Sequence, residues 1–246
     1  MKLKLIVAIL LCFTLGINAQ KKIDLSNNFN KIIVSPHIEA VLKKGMQASI
    51  EIEDIAVPEE KFKYELKNNT LQVYLEGAKT YTKNKKVVYN NRKRKIPLYK
   101  NKVAKVIITY TDVETFSLRG EEKVTLESPI DRNRCKIRVY GKSEVEINEV
   151  TVDDLRLTMY GDGLLNIKSG NVRKQKITAY GASKVLVDNV ESNESKITAY
   201  GDGTFKLNAS ERIKVTSYGE ATVLYKGDAE VKNGIIIGES TIRRID

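Results

Sequence analysis

The sequence predicts an all-β protein whose larger part is a parallel β-helix, a solenoid with coils of about 20 residues. Three observations carry that prediction. A Tyr-Gly step recurs at Tyr140-Gly141, Tyr160-Gly161, Tyr180-Gly181, Tyr200-Gly201 and Tyr218-Gly219, with glycines spaced by 20, 20, 20 and 18 residues. Self-similarity of that length marks a stacked repeat. The apolar residues flanking each glycine keep one parity, which is the period of a strand. No segment of useful length has the helical period, which argues against leucine-rich repeats.

The chain begins with what reads as a secretory signal over residues 1–19. Lys2 and Lys4 form its charged start, Leu5 to Leu15 its apolar run, and Ile17-Asn18-Ala19 a small-residue cleavage site before Gln20. The run is short against the roughly 20 residues of a bilayer span. Leu11 precedes Cys12 where a bacterial lipoprotein signal has a small residue, so lipid anchoring is not expected. Beyond the signal one cysteine remains, Cys135, which excludes an internal disulfide and reads as a structural thiol in a strand. His37 is the sole histidine. Neither metal-ligand spacing nor a Ser-His or Cys-His constellation is present, so no metal, cofactor or catalytic residue is assigned.

Residues 20–112 are expected to form an irregular β-rich part. Ile32, Val34, Ile38, Ala40 and Leu42 keep one parity around Pro36, as do Leu71, Val73 and Leu75. This part is expected to cover the first open end of the stack, because an exposed β-helix end invites edge-to-edge association. It contains a basic insertion, about residues 79–105. From Gly77 to Thr111 there is no acidic residue and eleven basic ones, which account for the excess in a net charge of +11. A long loop or projecting hairpin is expected between Tyr81 and Tyr99.

Residues 113–246 hold about seven coils, the weaker steps being Arg119-Gly120 and Ile237-Gly238. Four residues before the glycine stand Phe116, Ile137, Leu157, Ile177, Ile197 and Val215; four after stand Val124, Val145, Leu165, Val185, Phe205, Val223 and Ile242. Two after the glycine the residues are small: Ser143, Gly163, Ser183, Gly203, Ala221 and Ser240, with Glu122 breaking the column in the first coil. Bulk on the flanks and almost none between predicts a tight corner where backbones crowd. A lone coil cannot offset its ordering entropy, whereas stacked coils share faces and hydrogen bonds. A series of antiparallel hairpins turning at Gly-x-Ser or Gly-Asp-Gly is the competing architecture. The preserved parity excludes a two-residue hairpin loop but admits a three-residue one with a bulge.

In the run Phe29-Asn30-Lys31-Ile32-Ile33-Val34, the strand Asn69-Thr70-Leu71-Gln72-Val73 and the glycine-punctuated coils from Gly120 to Gly238, the chain resembles the head GIN domain family of auto-transporter adhesins. The resemblance covers nearly the whole chain after the signal. It implies an exported, β-helical protein of a Gram-negative bacterium, periplasmic or at the cell surface, that adheres or binds a ligand without catalysis. The chain departs from the family in having Tyr before most glycines, where members often show Gly-Ser-Gly, and in the basic insertion. The family supplies no catalytic residue to carry over.

Two outward patches are candidate sites. Tyr140, Tyr160, Tyr180, Tyr200 and Tyr218 have the parity opposite to the core, so they form an outward ladder roughly 20 Å long at one strand spacing per coil. Thr158, Thr178, Thr198 and Thr216 run beside it. Such a column suits a glycan or a protein partner, or else stacks on itself and stabilises the coils. Lys85, Lys86, Arg92, Lys93, Arg94 and Lys95, with Tyr89 and Tyr99 nearby, suit an anionic polymer or lipid surface, or else a solvated loop that keeps the protein soluble. Nucleic acid is disfavoured for an exported protein. Asp162 and Asp202, each between two glycines, lack the further oxygens calcium needs and read as turn residues. The expected function is therefore a non-catalytic, adhesin-like envelope protein, with a homo-oligomer or protein partner among its options. The alternatives are a polysaccharide-active β-helix enzyme of the lyase kind, and a purely structural envelope component.

Overall fold

The computed structural model describes residues 21–26, 28–89 and 92–245; the predicted signal at 1–19 lies outside the described residues. The molecule is a parallel β-solenoid of about six turns with ~20-residue coils. Neighbouring coils pair in parallel at an offset of one repeat: Ile137 opposite Leu157, Leu157 opposite Ile177, and Ile177 opposite Ile197. The last such step, Ile197 to Val215, has the shorter offset that the 18-residue glycine spacing requires. This parallel register rules out the hairpin architecture. Seven successive rungs, from Thr115–Gly120 to Glu230–Ile237, enclose the six turns.

Each coil lays one strand on each side of the glycine corner. On one side run Thr115–Gly120, Ile130–Gly141, Val150–Tyr160 and Gly170–Tyr180; on the other run Lys123–Leu126, Glu144–Ile147 and Leu164–Ile167. The long strands bend again where the pairing skips Asn133, Asp153 and Arg173, which closes a third side. The inward columns are buried as far as Ala221 and Val223, with Ser240 and Ile242 of the last coil half-buried, and one continuous apolar cluster runs from Leu25 to Ala229.

The corner shows why the middle column is small. Gly161 has φ of +110°, and a Cβ there would lie 2.5 Å from the carbonyl oxygen of Gly141. Only glycine fits a backbone that turns in this region while pressed against the rung before it. The buried hydroxyls of Ser143 and Ser183 donate to the carbonyls of Gly120 and Gly161 at 2.9 and 2.7 Å, so the polar atoms of the corner are satisfied within it.

The N-terminal strands enter the same sheets. Lys31–Val34 pairs in parallel with Thr115–Gly120, and Ile38–Lys44 with Lys123–Leu126. Beyond them lie Thr70–Leu75 and Ala104–Tyr110, also parallel. The rung that comes first in the chain is thus second in space. Antiparallel strands then end the stack: Ser49–Ile55 pairs with Ala104–Tyr110, Lys21–Asp24 with Ser49–Ile55, and Phe62–Lys67 with Thr70–Leu75. Between Thr70–Leu75 and Ala104–Tyr110 the basic segment leaves the body as a separate two-stranded sheet, Asn84–Tyr89 against Arg92–Pro97.

Candidate binding surfaces

The tyrosine column forms because parallel pairing places Tyr140, Tyr160, Tyr180, Tyr200 and Tyr218 in one register row. Successive ring centroids are 4.9, 4.8, 4.8 and 5.1 Å apart, with planes within 6° of parallel. The Arg119 guanidinium lies 5.6 Å from the Tyr140 ring centroid at one end, and Ile237 follows Tyr218 at the other. The ring faces are therefore occupied by one another. What the column presents outward is a line of ring edges and hydroxyl groups, with Tyr160, Tyr180 and Tyr200 each about 40 % exposed. Stacking a sugar on an open aromatic face is not available at the interior rings. Thr158, Thr178, Thr198 and Thr216 form the next outward row and are half-buried.

The basic hairpin sets one pair of like charges face to face and the other cations against uncharged residues. Lys86 is opposite Lys95, and Val87 is opposite Arg94. Directly opposed like charges oppose strand pairing. Elsewhere in the basic window three of the five cations are matched, Lys79 with Glu65, Lys102 with Glu39 and Lys105 with Glu53, while Lys83 and Lys100 enter no ion pair among the described residues. No ion pair among the described residues involves Lys85, Lys86, Arg92, Lys93, Arg94 or Lys95, and all six are exposed. Val88 stands among them at 67 % exposure.

The hairpin is tied to the corner by the only histidine. His37 occupies the turn of the first rung with φ of 70°. Its Nδ1 lies 2.6 Å from the carbonyl oxygen of Asn101 and its Nε2 lies 2.6 Å from the hydroxyl of Thr82, one on each arm of the insertion. Nδ1–H donates to that carbonyl. The Glu122 carboxylate lies 3.6 Å from Nδ1 and is almost wholly buried, and it accepts from the amide of Glu121. The residue that breaks the small column thus backs the ring that anchors the insertion. Cys135 is buried in the core, and burial pushes its thiol up to about 12, well out of the reactive range. Among the described residues no group of three or more His, Cys, Asp or Glu is placed to hold a metal ion.

Sequence reasoning missed one surface. Lys136, Arg156, Lys176, Lys196, Lys214 and Lys232 occupy a single register row on the outer face, so six cations stack one per rung. Two positions earlier on the same strands the row reads Arg134, Asp154, Lys174, Glu194, Arg212 and Glu230, alternating in sign. Its members pair across rungs: Arg134 with Asp154, Lys174 with Glu194, and Arg212 with Glu194. The hydrogen bond from Arg212 and that from Lys174 hold the Glu194 carboxyl below its usual range. Between the second bend and the cation row runs an open groove of about 820 Å³, lined by Arg156, Lys176, Lys196 and Lys214 among others. The signal was present in the sequence as a basic residue five positions before five of the Tyr-preceded glycines.

The comparisons agree with this architecture. The crystal structure of a "putative adhesin" from Bacteroides fragilis NCTC 9343 superposes with a TM-score of 0.74 at 21% identity, covering 93% of this chain and 98% of that one. A "putative adhesin" from Parabacteroides merdae ATCC 43184 gives 0.65 at 17% identity, covering 93% and 96%. A "putative lipid binding protein" from Parabacteroides distasonis ATCC 8503 gives 0.63 at 16% identity, covering 93% and 98%. At these identities the likeness shows the fold. No curated protein matches the chain. Residues 28–229 match the model of the family described as "Putative auto-transporter adhesin, head GIN domain", and the chain belongs to that family.

Proposed function

We propose that the protein is a non-catalytic binding protein of the bacterial envelope, exported through the leader at residues 1–19. In this reading the solenoid is a rigid mount, and the basic hairpin is the element that meets an anionic surface. One observation carries it: Lys85, Lys86, Arg92, Lys93, Arg94 and Lys95 crowd onto one hairpin outside the main sheets, with Lys86 directly opposite Lys95 and none of the six in an ion pair among the described residues. That arrangement disfavours the free hairpin and is relieved when phosphate or carboxylate groups settle over it. Val88, exposed among the cations, gives the same element an apolar contact for a lipid headgroup region. A protein of the same fold described as lipid binding adds support to a lipid surface as the partner.

The test is cosedimentation with vesicles of phosphatidylglycerol and phosphatidylcholine, against pure phosphatidylcholine, over a salt series. The expected result is retention on the anionic vesicles that weakens as salt rises, and its loss when the six cations are changed to glutamine. Equal retention on both vesicle types, or none on either, refutes the reading.

The tyrosine column supports a second reading. Its hydroxyl line, with the threonine row beside it, supplies donors and acceptors at one-rung spacing to a glycan lying edge-on. Loss of glycan binding in a still-folded variant with Tyr160, Tyr180 and Tyr200 changed to phenylalanine tests it, since the rings remain and only the hydroxyls go. Unchanged binding by that variant removes it.

A further inference from the structure

We infer that the row Lys136, Arg156, Lys176, Lys196, Lys214 and Lys232 is a binding track for an extended polyuronate, an acidic polysaccharide with one carboxylate per sugar. The first ground is the contrast between adjacent rows. The row of Arg134, Asp154, Lys174, Glu194, Arg212 and Glu230 alternates in sign, which is the arrangement that steadies a parallel stack. The cation row, on the same strands and the same face, places like charges opposite one another at every rung, which opposes stacking. Rung stability does not explain it.

The second ground is pairing. The outer members are neutralised, Lys136 by Glu114, Arg156 by Asp154 and Lys232 by Glu230. The central three, Lys176, Lys196 and Lys214, are exposed and enter no ion pair among the described residues. The third ground is shape. These three cations and Arg156 line the open groove of about 820 Å³, so the charge lies along a channel parallel to the stack. Its lining holds eight cations against the three carboxylates Asp153, Asp154 and Glu194, and a cleft with such an excess of one sign concentrates counter-ions of the other.

Charge density and neighbours select the ligand. One cation per rung at a strand spacing of about 4.7–4.9 Å suits a chain with one carboxylate per sugar residue. The Thr178, Thr198 and Thr216 row next to it offers hydroxyls to sugar hydroxyls. A single-stranded nucleic acid is bound through bases stacked on open aromatic faces; here the tyrosine faces are closed by self-stacking. The inference rests on reading the protein as a binding scaffold, but the hairpin plays no part in it.

The experiment is calorimetric titration of the whole chain with galacturonate oligomers of increasing length, in a salt series. Three proteins are compared: the unaltered chain, a K176Q/K196Q/K214Q variant, and the variant with the six hairpin cations changed to glutamine. Affinity is expected to rise with length up to about three sugars, the reach of the unpaired rungs, and to fall with salt. The row variant is expected to lose about tenfold in affinity, about 1.4 kcal/mol in all and about 0.5 kcal/mol for each of the three contacts. The hairpin variant is expected to bind the oligomers within about twofold of the unaltered chain. Removing like charges leaves the row variant folded, which far-ultraviolet circular dichroism checks; the single variant K196E supplies the same readout otherwise. Undiminished binding by the row variant overturns the inference, as does binding lost only in the hairpin variant. Monomeric galacturonate binding as tightly as the oligomers, or a single-stranded oligonucleotide of equal charge binding more tightly, overturns it too, and so does no binding at all.

Discussion

Tyr160 and Tyr180 are twenty residues apart in the chain, yet their rings stack at 4.8 Å with planes 1° from parallel. Such a pair contributes about 0.5–1.5 kcal/mol beyond the area it buries. Tyr180 also stacks on Tyr200 at 4.8 Å, so Tyr180→Ala removes two contacts while Tyr218→Ala removes one. The interior substitution is therefore expected to cost about 1–3 kcal/mol from stacking alone, and the end substitution about half of that. A double-mutant cycle isolates the pair: urea denaturation of Tyr160→Ala, Tyr180→Ala and the double variant should give a coupling of about 0.5–1.5 kcal/mol. The same cycle on Tyr140 and Tyr200, which have no direct contact, should give less than about 0.5 kcal/mol. Coupling that vanishes for the first pair, or is equal for both, refutes the reasoning that the rings form a rung-by-rung ladder.

Other outcomes follow from the corner, the core and the hairpin. Gly161→Ala forces a side chain onto a φ of +110° and against the Gly141 carbonyl, and is expected to cost about 2–4 kcal/mol, read as a fall in the urea midpoint; Asp202→Ala on the exposed turn should stay within about 0.5 kcal/mol. Cys135 should resist a thiol reagent in the folded protein and react fully in urea, and fast labelling of the native form would contradict its burial. Burial raises the folded pKa of Cys135 from 9.0 to about 12 and that of Tyr110 from 10.0 to about 12, so their neutral forms contribute stability that is full below about pH 9 and lost as pH climbs toward 12. Cys135→Val should make that alkaline loss shallower in urea midpoints taken from pH 8 to 11. Lys95→Glu places an opposite charge across from Lys86, and should weaken retention on anionic vesicles while leaving the thermal midpoint unchanged or raised.

The Tyr-Gly spacing and the single parity of Ile137, Leu157, Ile177 and Ile197 made the parallel stack readable, because a constant offset and a constant face leave little choice of register. The place of Lys31–Val34 was not readable. It pairs with strands far along the chain on both sides, and local periodicity does not encode which distant edge a short apolar run joins. The outward facing of the tyrosines followed from parity, but not the direction of their faces, which depends on side-chain rotation and on Arg119 and Ile237 at the ends. The cation row stands at a fixed distance before the glycines, but charge at outward strand positions is ordinary on a solvated face and does not by itself mark a column. The anchoring of Thr82 and Asn101 by His37 joins segments that no spacing rule connects.

The most direct test of a scaffold that meets its partners through unpaired cations is lysine acetylation footprinting of the whole chain, read by mass spectrometry. With phosphatidylglycerol vesicles, Lys85, Lys86, Lys93 and Lys95 should be protected; with a galacturonate oligomer, Lys176, Lys196 and Lys214 should be. Protection spread evenly over the surface lysines, or confined to ion-paired ones such as Lys79 and Lys105, would contradict the account.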